Sequence, residues 1–190
     1  MTYLLPLALC LIGLALFLRA RKGKRPSAGA VNGWRINWSA GLPPAPIPQG
    51  DGWAIDVPTG ASLHYVQRYG GRLREGQALT LRLRVTGQFI APEFGNPANA
   101  SILLQRKGDN GRESGYRYFS HATIPLTEGE HSLTVTVDAA HFADVLTETG
   151  ELGRVLADLE SVGVMFGSDG GRGHGVMAPN GGRVELLSLG

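Results

Sequence analysis

Leu79-Thr80-Leu81-Arg82-Leu83-Arg84-Val85-Thr86 alternates apolar and polar side chains over its whole length. Successive side chains of a β-strand point to opposite faces of a sheet, so Leu79, Leu81, Leu83 and Val85 share one face, and Thr80, Arg82, Arg84 and Thr86 share the other. The first face is written for a core and the second for water or a ligand. Leu133, Val135 and Val137 alternate with Thr134, Thr136 and Asp138 in the same way. Working outward, strands are predicted over residues 53–57, 62–69, 78–86, 100–106, 116–121, 132–138, 162–166 and 183–189. Between them lie Gly70-Gly71, Gly108-Asp109-Asn110-Gly111, Glu128-Gly129-Glu130 and Asn180-Gly181-Gly182. These residues tolerate the left-handed backbone that tight turns demand. One segment departs from this rhythm: Leu152, Val155, Leu156 and Leu159 recur at helical spacing and predict a single short helix between two strands.

The chain has 190 residues, enough for one domain with a real core, and its 28 Gly and 11 Pro suit a turn-rich fold without a collagen period. The fold class read from this pattern is all-β, a two-sheet antiparallel jelly-roll sandwich with one short helix, occupying residues 51–190 and preceded by an N-terminal membrane helix. The formal charge of +2 conceals two unlike parts. Arg19, Arg21, Lys22, Lys24 and Arg25 cluster together, and no acidic residue precedes Asp51. Residues 26–190 hold 13 basic and 16 acidic side chains, a balance of −3 that excludes nucleic acid as a partner of the domain.

Residues 3–18 (YLLPLALCLIGLALFL) carry no charge. At 1.5 Å per residue they span about 24 Å, a little short of a hydrocarbon core of about 30 Å, and Met1, Thr2 and a snorkelling Arg19 extend the reach, so residues 1–18 are expected to be a transmembrane anchor or an uncleaved signal. The basic cluster behind it suits anionic lipid headgroups. Residues 19–50 read as a basic and then Pro-rich linker, because GLPPAPIPQG at residues 41–50 favours an extended polyproline conformation. Within it, Gly33–Trp38 reads either as a first strand or as an arm packed on the domain. The positive-inside rule places the domain behind the cluster in the cytoplasm, whereas a domain of this kind belongs in the periplasm or outside the cell. The only cysteine, Cys10, lies in the apolar run, so disulfides say nothing about compartment.

The succession SLHYVQRYGG, ALTLRLRVTG, ASILLQRKGDN, GYRYFS, GEHSLTVTVD, SVGVMFG and GHGV with GGRVELLSL resembles the carbohydrate-binding-module-like and galactose-binding-domain-like jelly rolls of bacterial surface and secreted proteins. The resemblance covers about residues 50–190 and rests on strand order and turn placement. It implies a domain that binds glycan without turning it over.

A pyranose has one apolar face and a rim of hydroxyls, so a site for it needs aromatic rings beside Arg, Asn, Asp, Gln or His. Gln105 to Tyr118 is the densest concentration of such groups. Arg82, Arg84, Gln105 and one of Arg117 or Tyr118 are expected on one outward sheet face, with Tyr65 and Arg68 contributed by the earlier strand and Asp109 by the loop. Such a loop also serves as an ordinary solvated turn, and Arg, Gln and Thr ladders also merely cover sheets. Gly167–Gly175 is a second feature, with five glycines that let backbone amides approach a ligand and His174 as a candidate contact. It lacks the Gly-Lys-Ser/Thr ending of a nucleotide-binding P-loop. Trp34, Trp38 and Trp53 flank the Pro-rich run, as packing residues or as a sugar platform.

His64, His121, His131 and His141 lack metal-ligand spacing, and zinc is not expected. Asp109, Asn110 and Glu113 offer oxygen ligands for a structural calcium ion, at a spacing unlike an EF-hand loop. No Gly-x-Ser-x-Gly elbow occurs and the carboxylates are scattered. Tyr65, His64, Arg84, Gln105 and Tyr118 match the residue types of jelly-roll polysaccharide lyases without their strand motifs. The reading is therefore a membrane-tethered, non-catalytic carbohydrate-binding domain whose partners are a polysaccharide or glycan and, through the N-terminal helix, membrane lipid. The alternative is a structural or protein-interaction domain of a cell-envelope complex.

Overall fold

A computed structural model describes residues 30–42, 45–93, 97–147 and 151–190. The expected membrane anchor and the cluster Arg19–Arg25 lie outside the described residues. Among the described residues no helix is long and apolar enough to cross a membrane.

The alternating stretch forms β6 (Ala78–Thr86), and its four apolar residues are all buried. It sits inside a five-stranded antiparallel sheet of order β10-β6-β14-β3-β2, built from β2 (Ile47–Gln49), β3 (Gly52–Val57), β10 (Gly129–Thr136) and β14 (Gly182–Leu189). A seven-stranded sheet faces it, ordered β1-β5-β12-β7-β8-β11. Its members are β1 (Trp34–Asn37), β5 (Tyr65–Tyr69), β7 (Asn99–Arg106), β8 (Arg117–Ser120), β11 (Phe142–Asp144) and β12 (Leu159–Gly167), with β9 (Ile124–Pro125) beside β7. β4 (Ser62–Leu63) and β13 (Val176–Met177) form a small ribbon. Leu81 and Leu83 from one sheet and Ile102, Leu104 and Val164 from the other belong to one continuous core, so the molecule is an antiparallel β-sandwich. The single described helix, α1 (Leu152–Ala157), buries Leu152 and Val155 and stops before Leu159, which opens β12.

The sandwich begins earlier than residue 51. Trp34 and Ile36 of β1 enter the core, and Trp34 meets Trp53 edge-on with ring centroids 6.2 Å apart. Of the two readings of Gly33–Trp38, the strand is the one observed, and β2 at the end of the Pro-rich run adds an edge strand where Pro48 is tolerated.

Arg82 and Arg84 cover the outer face of the five-stranded sheet, whereas Gln105 and Arg117 belong to the seven-stranded one. The expectation that these four share a face is thus corrected. Alternation fixes which residues of a strand go together, and it is silent on which sheet the strand joins. Register sets Glu130, Arg84 and Glu185 side by side, and the Arg84 guanidinium lies 2.5 Å from Glu130 and 3.2 Å from Glu185. That guanidinium holds the Glu130 carboxyl below the usual carboxylate range. Exposed pairs of this kind add little stability.

Truncating Leu83 to Ala should cost about 2–5 kcal/mol in urea unfolding, the range for a buried leucine. Arg82→Ala, on the solvated face of the same strand, should change stability by about 0.5 kcal/mol or less.

Candidate functional site

β5 reads Tyr65-Val66-Gln67-Arg68-Tyr69, so Tyr65, Gln67 and Tyr69 share the outer face of the seven-stranded sheet while Val66 enters the core. Register then builds rows on that outer face. Tyr69, Ser161, Gln105 and Arg117 form one row, Gln67, Gly163, Leu103 and Phe119 the next, and Tyr65, Met165 and Ser101 a third.

A directed hydrogen-bond chain crosses the first two rows. Asn37 Nδ2 donates to Gln67 Oε1 at 2.6 Å and to the Tyr69 hydroxyl at 3.2 Å. Gln67 Nε2 donates to Gln105 Oε1 and, at 3.0 Å, to Ser161 Oγ, which itself donates to Gln105 Oε1 at 3.0 Å. Gln105 Nε2 donates to Asp109 Oδ2 at 2.8 Å, and Arg117 Nε lies 3.0 Å from the same oxygen. The other Asp109 oxygen accepts from Gly111 N at 2.7 Å. Each amide orientation is fixed by its neighbour. Gly163 makes the crossing possible, because an added Cβ there would stand 2.9 Å from Gln67 Cγ.

Above this chain lies a pocket of about 200 Å³. Gln67 and Gln105 line it from the sheet, Asp109 and Asn110 from the loop, and Trp38, Tyr69 and Glu160 complete it. Trp38 is 54% exposed and Tyr69 43%. Arg35 lies 5.4 Å from the Tyr69 ring centroid and braces that ring. Trp38 has φ 57°, a left-handed conformation that costs a bulky residue about 1–3 kcal/mol. The outcome is an indole carried back over the loop, where a Cβ added to Gly111 would be 3.3 Å from its Cη2.

The glycine-rich segment closes the far side of the same face. A Cβ at Gly173 would run into the Tyr65 hydroxyl and lie 3.2 Å from Met165 Sδ, and one at Gly175 would lie 2.6 Å from His64 Nε2. Arg172 stacks 4.3 Å from the Phe119 ring centroid and donates to Ser101 Oγ at 3.2 Å and to the His121 carbonyl at 3.3 Å. The glycines therefore let the segment lie flat on the sheet. Burial beneath it pushes the Tyr65 phenol up from its ordinary pKa, opposed by the nearby Arg117.

Of the residues singled out from sequence, Gln105 and Asp109 line the pocket and Arg117 stands behind Asp109. Tyr65 is on the same face beneath the glycine-rich segment. Between Arg117 and Tyr118 the outward position belongs to Arg117. Tyr118 is 1% exposed and turned into the core, where burial and then Asp144 push its pKa up. Arg68 lies 5.4 Å from the Trp34 ring, because an odd separation from Tyr65 puts it on the opposite face. Arg82 and Arg84 are on the other sheet. His174 Nδ1 is 2.8 Å from Glu93 Oε2 and does not line the pocket. Among the described residues no group of three or more His, Cys, Asp or Glu is placed to hold a metal. The Asp109 oxygens suggested for calcium are occupied by Gly111, Gln105 and Arg117. Sequence reading missed Asn37, Gln67, Tyr69 and Glu160. The two-residue spacing of Tyr65, Gln67 and Tyr69 was the available signal.

No protein-family model matches this chain, and no curated protein matches it. Solved structures do align over most of its length. One is a carbohydrate binding module of family 29, at 16% identity, 85% of this chain, 80% of the other and a TM-score of 0.40. Another is the xylan-binding module CBM15, at 17% identity, 82% and 92% coverage and a TM-score of 0.42. Both neighbours are carbohydrate-binding modules.

His64 sits between the sheet and the glycine-rich segment, with Nε2 3.0 Å from Ser62 Oγ and Nδ1 3.2 Å from the Gly173 carbonyl. Burial lowers its pKa. The unfolded chain takes up this proton near the ordinary value of about 6.5 and the folded one resists it, so the stabilisation is complete above that value and is lost as pH falls through it. Urea midpoints followed from about pH 7.5 to 5 should fall, and His64→Gln should fall by less; identical slopes would refute the assignment.

Proposed function

We propose that this chain is a membrane-tethered, non-catalytic jelly-roll domain that binds glycan in the Trp38–Tyr69 pocket. The observation that carries the reading is the exposed Trp38 indole, held in a left-handed backbone beside amide and carboxylate groups whose directions are already set. Such an indole offers a flat apolar face to the C–H side of a pyranose, and Asn37, Gln105, Asn110 and Glu160 offer donors and acceptors to its hydroxyls, while the buried Gln67 holds Asn37 and Gln105 in place. A network ordered before binding loses little freedom on binding. Both Asp109 oxygens are engaged by protein groups, so that carboxylate orients Gln105 and Arg117 and neither attacks nor protonates a glycosidic bond. Residues 3–18 supply the tether, and the domain faces the periplasm or the exterior, where polysaccharide is met. With Asp109 and Glu160 at the pocket and Arg117 turned to Asp109, neutral glycans are favoured over polyuronates.

The full chain in a sugar-free detergent is tested against neutral polysaccharides and polyuronates by affinity electrophoresis and calorimetry. Trp38→Ala should weaken binding about 30-fold or more, a loss of about 2 kcal/mol typical of a binding hot spot. Tyr69→Ala should cost about tenfold, and Arg84→Ala, on the opposite sheet, should cost nothing measurable. Absence of binding to every polymer, or equal loss in Arg84→Ala, would overturn the assignment. Protease added to cells with a permeabilised outer envelope should remove the domain. Protection until the cytoplasm is opened would place it inside.

A further inference from the structure

Resting on that reading, we infer that the pocket takes the terminal residue of a glycan and not the interior of a chain. A chain bound along its length needs a run of exposed surface on which successive rings stack. Among the described residues, the outer face of the seven-stranded sheet offers no further exposed aromatic ring beyond the pocket. Leu103, Phe119 and Met165, in the rows that would continue it, are 1%, 3% and 1% exposed. Arg172 lies on Phe119, and Gly173 lies against Tyr65 and Met165. Trp38 and Tyr69 are the exposed Trp, Tyr or Phe rings among the described residues, and both belong to this one pocket.

The pocket is also bounded in the direction a chain would have to take. The Trp38 indole reaches from the end of β1 to Gly111, so the strand end and the loop meet over the sheet. Asp109, tied to Gln105 and Arg117, anchors that loop from below. At about 200 Å³ the space falls under the range of about 300–1,000 Å³ usual for larger ligands, and it suits a single pyranose entering from the solvent side. The remainder of the glycan then extends into water and adds no contact.

The test is affinity as a function of chain length. The full chain in sugar-free detergent is titrated calorimetrically with glucose, xylose and mannose and with their β-1,4-linked oligomers up to the hexamer. The best-bound series should gain less than about threefold in affinity from dimer to hexamer, since added units meet no protein. In parallel, partial acid hydrolysis of the matching polymer should raise the protein bound per gram in proportion to the chain ends created. A gain of about threefold or more with length, or unchanged capacity after hydrolysis, would overturn terminal recognition while leaving glycan binding intact. No binding at any length would overturn both.

Discussion

The hydrogen-bonded chain from Asn37 through Gln67, Ser161 and Gln105 to Asp109 ties together β1, β5, β12, β7 and the loop beyond β7. Its members are partly or wholly buried, so leaving one donor unmet would cost about 1–3 kcal/mol for that group alone. Each amide therefore has one permitted orientation, set by the next member and ultimately by the Asp109 carboxylate. Arg117 and Gly111 fix Asp109 in turn. The pocket inherits its shape from this chain, because the loop carrying Asn110 and the seat of the Trp38 indole are both held through Asp109 and its neighbours.

The two outer faces of the sandwich behave differently. The five-stranded sheet shows water a ladder of Arg and Glu whose pairs are exposed and energetically slight. The seven-stranded sheet carries a second small core of Tyr65, Leu103, Phe119, Ala143 and Met165, under Arg172 and the glycines beside it. Burial on both sides covers the Leu103, Phe119 and Met165 rows, and among the described residues the Trp38–Tyr69 pocket opens along the Tyr69–Gln105 row, apart from a smaller polar hollow beside Asp169 and Arg172. It also explains the glycines at 163 and 173, which stand where a side chain would collide with Gln67 or Tyr65.

Much of the sandwich was legible. The expected and observed bounds of β6 coincide because one of its faces is core and the other water, the condition under which alternation is clean. β7 and β12 were placed with less internal pattern, since residues such as Ser101, Leu103 and Met165 are buried on the outer face as fully as Ile102 and Val164 on the inner. The site was harder to read. Gln105, Asp109 and Arg117 were found because one short segment supplies all three. Charge draws the eye to Arg68, yet strand parity excludes Arg68 from the face that holds Tyr65 and gives that face Gln67 and Tyr69. The misplacement of Arg82 and Arg84 has another origin, since sheet membership is decided by pairing between residues about a hundred positions apart, as for Arg84 and Glu185.

Trp38 is the residue whose role sequence could least define, and it bears most of the functional argument. Its φ of 57° is one that glycine would adopt without strain, so a tryptophan there costs the fold about 1–3 kcal/mol. Trp34 and Trp53, neither with a positive φ, are buried in the core, whereas Trp38 is more than half exposed and recovers little of its strain through burial. What the strained backbone supplies is direction, aiming the indole away from the line of β1 and across to Gly111. On the proposed reading, the strain is spent before the ligand arrives. A sugar then meets a ring already in place, with the hydroxyl-binding groups of Gln105 and Asn110 beside it, and the binding step itself has little left to order.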